Sequence, residues 1–110
     1  MRKLYTDLAD YQLSNGDFDD ATATLRSVLA ELPPNHDMVD VKWKALYTIG
    51  VAYHRKRDFE ESIGHAQAAL GIAEDIFPPQ DDRIVDTLQL IVDIFVAHGV
   101  SHMDTLSSLI

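Results

Sequence analysis

The sequence predicts an all-α fold, a solenoid of two and a half to three antiparallel helix hairpins. Three observations lead there. Apolar residues recur at three- and four-residue spacing throughout, and no run of β-branched residues alternates strictly with polar ones. The four prolines fall in two pairs, Pro33-Pro34 and Pro78-Pro79, which cut the chain into three comparable pieces because proline ends helices. The pieces also repeat. Aligned on their turns, Tyr5, Leu46 and Leu88 coincide, then Leu8, Ile49 and Ile91, then Ala9, Gly50 and Val92, then Gln12, Tyr53 and Phe95, and last Gly16, Arg57 and Gly99. The offsets are 41 and 42 residues. A two-helix unit of such a period is the signature of a helical solenoid.

Each element follows from local chemistry. A first helix is predicted over about Arg2–Ser14, with Leu4, Leu8, Tyr11 and Leu13 as its apolar side, and Asn15-Gly16 turns the chain because both residues tolerate left-handed backbone angles. A second helix over about Phe18–Leu32 buries Ala21, Leu25, Val28, Leu29 and Leu32. Asp17, Asp19 and Asp20 crowd its first turn, where carboxylates meet free N–H groups and the positive end of the helix dipole. After Pro34, Asp37 is read as the cap of a third helix over about Met38–Lys56, which runs through Val41, Trp43, Leu46, Ile49 and Tyr53. That helix ends in His54, Arg55, Lys56 and Arg57, the right sign for its C-terminus. Asp58 caps a fourth helix over about Phe59–Phe77. A fifth, over about Arg83–His98, is expected to stop at Gly99. A short sixth, over about His102–Leu109, is expected to fold back over part of it. The whole is one domain, residues 1–110, with repeats at about 2–34 and 37–78 and a partial repeat at about 81–110.

Composition narrows the function classes. The 110 residues carry a formal net charge of −9, which repels phosphate backbones and argues against nucleic acid as a partner. With no cysteine, thiolate metal sites, disulfides and cysteine nucleophiles are excluded. The N-terminal MRKLYTDLADYQ is broken by Asp7 and Asp10 and does not read as a signal peptide. The most apolar run, LQLIVDIFV, is far shorter than the roughly 20 residues of a membrane span. The cytoplasm is the default expectation, with no membrane partner.

With the pattern Leu46, Ile49, Gly50, Tyr53 followed by Asp58-Phe59-Glu60-Glu61, and the matching turn Gly16-Asp17-Phe18-Asp19-Asp20-Ala21, the chain resembles the tetratricopeptide repeat family. The long second helix, ending Ala73-Glu74-Asp75-Ile76-Phe77-Pro78, is similar to the long repeats of kinesin light chains and of peptide-sensing bacterial regulators. The third copy departs from the pattern, with Ser101 and Asp104 where an aromatic residue and an alanine belong. The resemblance implies a right-handed solenoid that captures a peptide or helix of a partner protein on a concave face lined by the first helix of each hairpin. By alignment that face holds Lys3, Thr6, Asp10 and Leu13, then Lys44, Tyr47, Val51, His54 and Arg55, then Asp86, Gln89, Asp93 and Val96. Lys44 and Arg55 are the residues expected to orient an acidic peptide. The Lys and Asn clamp with which some members hold a terminal carboxylate is missing, since Thr6, Asp10, Tyr47 and Val51 stand at its places.

No residue set announces a reaction. Asp86 and Asp93 lie two helical turns apart, about 10 Å by helical rise, too far for an acid–base pair. His98 and His102 have ligand spacing, but the expected turn at Gly99 separates them, so no metal site is expected, nor any other cofactor. The expectation is a noncatalytic interaction module. The alternative is a self-associating domain, homodimeric through residues 88–110, or part of a larger regulator, since solenoid ends need polar caps and Leu106, Leu109 and Ile110 are apolar.

Overall fold

The computed structural model describes the backbone of residues 2–32 and 38–109 and the side chains of residues 7–32 and 38–99. Five helices account for it: α1 (Arg2–Ser14), α2 (Phe18–Glu31), α3 (Val39–Lys56), α4 (Phe59–Ile76) and α5 (Asp82–Leu109). No strand occurs among the described residues. The Pro33-Pro34 break and the Asp37 cap lie outside them.

The two tight turns are built alike. Gly16 has φ 80° and Arg57 φ 66°. The Gly16 N–H donates to the Leu13 carbonyl at 3.1 Å and the Asp17 N–H to the Gln12 carbonyl at 2.8 Å. At the second turn Arg57 N–H donates to His54 and Asp58 N–H to Tyr53, at 3.1 and 2.9 Å. Both are Schellman motifs, which satisfy the last carbonyls of one helix and send the chain back antiparallel. The following caps differ. The Asp58 carboxylate accepts from the Glu61 N–H, whereas Asp17 makes no side-chain cap bond. The acidic first turn of α2 acts on its own helix through the dipole, and its Asp19 also pairs with Lys56 of α3.

Consecutive helices pack side by side, and α1, α3 and α5 also touch in sequence. Against α2, α1 sets Ala9 and Leu13. Leu25 then joins Ala9 to Ala45, Ile49 and Tyr53 of α3. Helix α4 carries a fully buried strip of small residues, Ser62, Ala66, Ala69 and Ala73, at the three- and four-residue spacing of one helix face. Trp43 and Phe77 close one end of this strip, while Leu90 and Ile94 of α5 close the other. Gly50 of α3 sits where the strip is tightest: a Cβ there would lie 3.4 Å from Leu90 Cδ2 and 3.5 Å from both the Ala66 nitrogen and the Ser62 oxygen. The buried Ser62 hydroxyl donates to the Gly50 carbonyl at 2.7 Å.

At the proline-rich turn, Phe77 is extended, as the residue before proline must be. Asp81 then caps α5, accepting from the Arg83 N–H at 2.9 Å and from Arg83 Nε and Nη2, both at 2.8 Å. The Arg83 guanidinium lies 3.5 Å from the Phe77 ring centroid. Those hydrogen bonds hold the Asp81 carboxyl below the ordinary range, at about 2.

Three expectations are corrected. There is no sixth helix: α5 runs unbroken through Gly99 to Leu109, so the C-terminal segment does not fold back over it. A lone glycine costs a helix about 1 kcal/mol, and Gly99 lacks the neighbouring Asn that helps Gly16 turn. His98 and His102 consequently share one helix, although the His102 side chain is outside the described residues. In α1, Leu8 and Tyr11 are exposed and the buried side is Ala9 and Leu13. Leu8 corresponds to Ile49, which α2 covers, but among the described residues no helix lies over Leu8. Leu13, expected on the concave face, packs instead with Ala21 and Ala52.

Gly50→Ala should leave the thermal melt unchanged or raise it, by at most about 1 kcal/mol, because the added methyl meets only ordinary contacts. Gly50→Leu should cost about 1–3 kcal/mol by overpacking. In acid, the contribution of Asp81 is present above about pH 4 and is lost as pH falls through its folded value of about 2. Asp81→Asn should therefore flatten the loss of stability between about pH 4 and pH 2, measured by urea melts across that range.

Candidate functional site

A cleft of about 350 Å³ opens between α3 and α5, lined by Tyr47, Val51, His54 and Arg55 on one side and by Asp86, Gln89, Leu90 and Asp93 on the other. Positions 47, 51, 54 and 55 fall on one face of α3, and 86, 89, 90 and 93 on one face of α5, as helical spacing requires. The helices meet there because the small strip of α4 lets both approach it. Leu90, 5% exposed, forms the floor.

A buried polar bond holds the walls at one end. Trp43 Nε1 donates to Thr87 Oγ1 at 2.8 Å, and the Thr87 hydroxyl donates to the Arg83 carbonyl at 2.6 Å. Trp43 stacks on Tyr47, with ring centroids 5.1 Å apart. The tryptophan thus carries the tie between α3 and α5 to the ring that lines the cleft. Burial, followed by the charges of Asp86 and Asp93, pushes the Tyr47 phenol up from its ordinary value. It stays protonated, able to donate to an acceptor and to accept in turn.

The two walls carry opposite charge. Helix α3 supplies His54 and Arg55, and Lys44 reaches the rim with its Nζ 5.8 Å from the Tyr47 ring centroid. Helix α5 supplies Asp86 and Asp93, the latter accepting from Gln89 Nε2 at 2.9 Å. Among the described residues no ion pair joins the walls.

The cleft thus gathers Tyr47, Val51, His54, Arg55, Asp86, Gln89 and Asp93, with Lys44 at its edge. Asp10 does not belong to it: it is an exposed residue of α1, and its carbonyl accepts from Ser14 Oγ at 2.9 Å. Val96 is exposed and does not line the cleft. Lys3 and Thr6 have side chains outside the described residues. Leu90 and Thr87 escaped sequence reading, though a buried tryptophan always needs an acceptor for its N–H, and Thr87 is the hydroxyl one turn from Leu90. Among the described residues no group of three or more His, Asp or Glu is placed to hold a metal ion. No helix of the described residues is long and apolar enough to cross a membrane.

Thr87→Val keeps the shape of the side chain and removes the acceptor. The indole N–H is then buried without a partner, and the melt should show a loss of about 1–3 kcal/mol, with a changed tryptophan emission reporting the same site.

Compared with protein-family models, curated proteins and solved structures, the chain matches none of them.

Proposed function

We propose that this chain is a noncatalytic protein-interaction module, a right-handed helical-repeat domain of tetratricopeptide type, that holds a peptide or helix of a partner protein in the α3–α5 cleft. The observation that carries the reading is the cleft itself: aromatic and aliphatic groups at its centre, and charges of both signs on its walls that do not neutralise each other across it. The paired Schellman turns at equivalent places in two successive hairpins support the repeat reading.

The bound segment supplies a carboxylate to Lys44 and Arg55 and packs its apolar side chains on Tyr47, Val51 and Leu90. A groove of this kind takes affinity from a few apolar anchors and orientation from the surrounding charges. Asp86 and Asp93 repel a second carboxylate on the far wall and so fix which way an acidic segment lies.

The test is a panel of short acidic, basic and mixed-charge peptides titrated by fluorescence anisotropy. Acidic and mixed-charge peptides are expected to bind and purely basic ones to bind less well. Lys44→Glu with Arg55→Glu should weaken binding at least about tenfold, worth about 1.4 kcal/mol, while the melt stays nearly unchanged because both side chains are exposed. Undiminished affinity in the double variant would place the site on another surface, and no binding by any peptide would overturn the reading.

A further inference from the structure

Helix α5 presents an uncovered apolar face. Val85, Leu88, Val92 and Phe95 are 60%, 46%, 53% and 56% exposed. In the internal repeat these positions correspond to Trp43, Leu46, Gly50 and Tyr53 of α3. Those residues are the ones on which α4 lies: Trp43 packs on Ala69, Ala73 and Phe77, Gly50 faces Ser62 and Ala66, and Tyr53 stacks on His65. Helix α1 uses the same register against α2, through Ala9 beside Leu25 and Gln12 accepting from Thr24. The face of α5 is thus the place where each earlier hairpin puts its second helix.

We propose that a second copy of this chain covers that face, α5 against α5, antiparallel about a two-fold axis. Four features choose this occupant. Positions 85, 88, 92 and 95 are spaced three, four and three residues apart, the seam of a two-helix coiled coil. Val92 stands where the earlier hairpins have Gly50 or Ala9, which excludes the same close crossing and suits the wider 8–10 Å spacing of such a seam. The seam is self-complementary: with the chains reversed, Val85 of one copy meets Phe95 of the other and Leu88 meets Val92. The flanking residues Ile84, Gln89, Ile91 and Val96 carry no charge, Asp86 and Asp93 turn toward the cleft, and His98 is stacked on Phe59 of its own chain, so no like charges meet along the seam. The pairing is isologous, as a closed two-fold dimer requires.

The described seam spans only about 15 Å of helix, well short of the roughly 800 Å² per partner of a stable interface. The dimer is therefore weak, on the order of micromolar in dissociation constant. Each copy carries a net charge of −9, so long-range repulsion opposes assembly, and salt, by screening it, tightens the dimer.

Sedimentation or light scattering of the full chain from about 1 µM to 1 mM should show the mass rise from 12.3 kDa toward twice that value, at lower protein concentration when salt is raised. Leu88→Asp should weaken the dimer at least about tenfold with an unchanged circular dichroism spectrum, since the side chain is exposed in the monomer. Val85→Glu and Phe95→Lys should each weaken it, and the two together should restore it, because in an antiparallel pair each new charge meets its opposite. A chain that stays monomeric at every concentration and salt overturns the proposal. So does a dimer that survives Leu88→Asp, or one that the paired substitution fails to restore.

Discussion

Close approach at Gly50 is the constraint on which the rest of the molecule depends. Gly50 has no side chain, and opposite it Ser62, Ala66, Ala69 and Ala73 of α4 are all fully buried. Two backbones can come near only where both surfaces are small: a methyl at Gly50 would just fit, 3.4–3.5 Å from its neighbours, but a larger side chain would overpack the crossing. Because α4 is slender along this strip, α3 and α5 both reach it from either side, and Leu90 arrives within contact of the Gly50 site. The cleft is what remains where α3 and α5 diverge above that shared contact. Its floor and the width of its mouth thus descend from four small residues on a helix that contributes nothing to its lining.

Polar bonds then remove the freedom that small residues leave. Apolar contact alone allows helices to slide by a turn, but a directed bond does not. Ser62 to Gly50 fixes the register of α4 on α3, and Trp43 to Thr87 fixes α5 on α3. Among the described residues no buried side-chain nitrogen or oxygen lacks a partner. These few interior polar groups therefore specify one packing without leaving an unpaired group behind.

The sequence revealed most where local chemistry decides the outcome. The first four helices begin and end within a few residues of their predicted bounds, because proline, Asn15-Gly16 and the Asp58 cap act on the backbone directly. Much of the lining of the cleft was legible too: the concave face implied by the family resemblance, mapped through the internal repeat, named seven of its eight lining residues, Leu90 excepted, though it also named Asp10, Leu13 and Val96, which lie elsewhere. What failed was anything set by neighbours. Leu8 and Tyr11 look like core in a helical wheel, but burial depends on a neighbour lying over them, and among the described residues none does. Gly99 looks like Gly16 in the repeat alignment, yet whether a glycine turns a chain depends on what the chain gains by turning. At Gly16 the following helix packs at once through Ala21 and Leu25. At Gly99 the helix simply continues.

The charges sort themselves by the same logic of partners. Of the nine lysines and arginines, four are engaged by the protein's own groups at element junctions. Lys56 pairs with Asp19, and that bond raises its pKa. Arg83 pairs with Asp81. Arg26 donates to the Tyr53 hydroxyl, and Arg57 lies over the Phe59 ring. Each of these is consumed in joining one element to the next, and each sits at a turn or a helix–helix junction. Lys44 and Arg55 differ in position: Arg55 lines the α3–α5 cleft and Lys44 stands beside the Tyr47 ring, and among the described residues neither forms an ion pair. The Trp43–Thr87 bond and the buried Leu90 tie the two walls together beneath these charges. Opposite charges on separate walls that do not pair with each other keep their attraction for charged groups in solution.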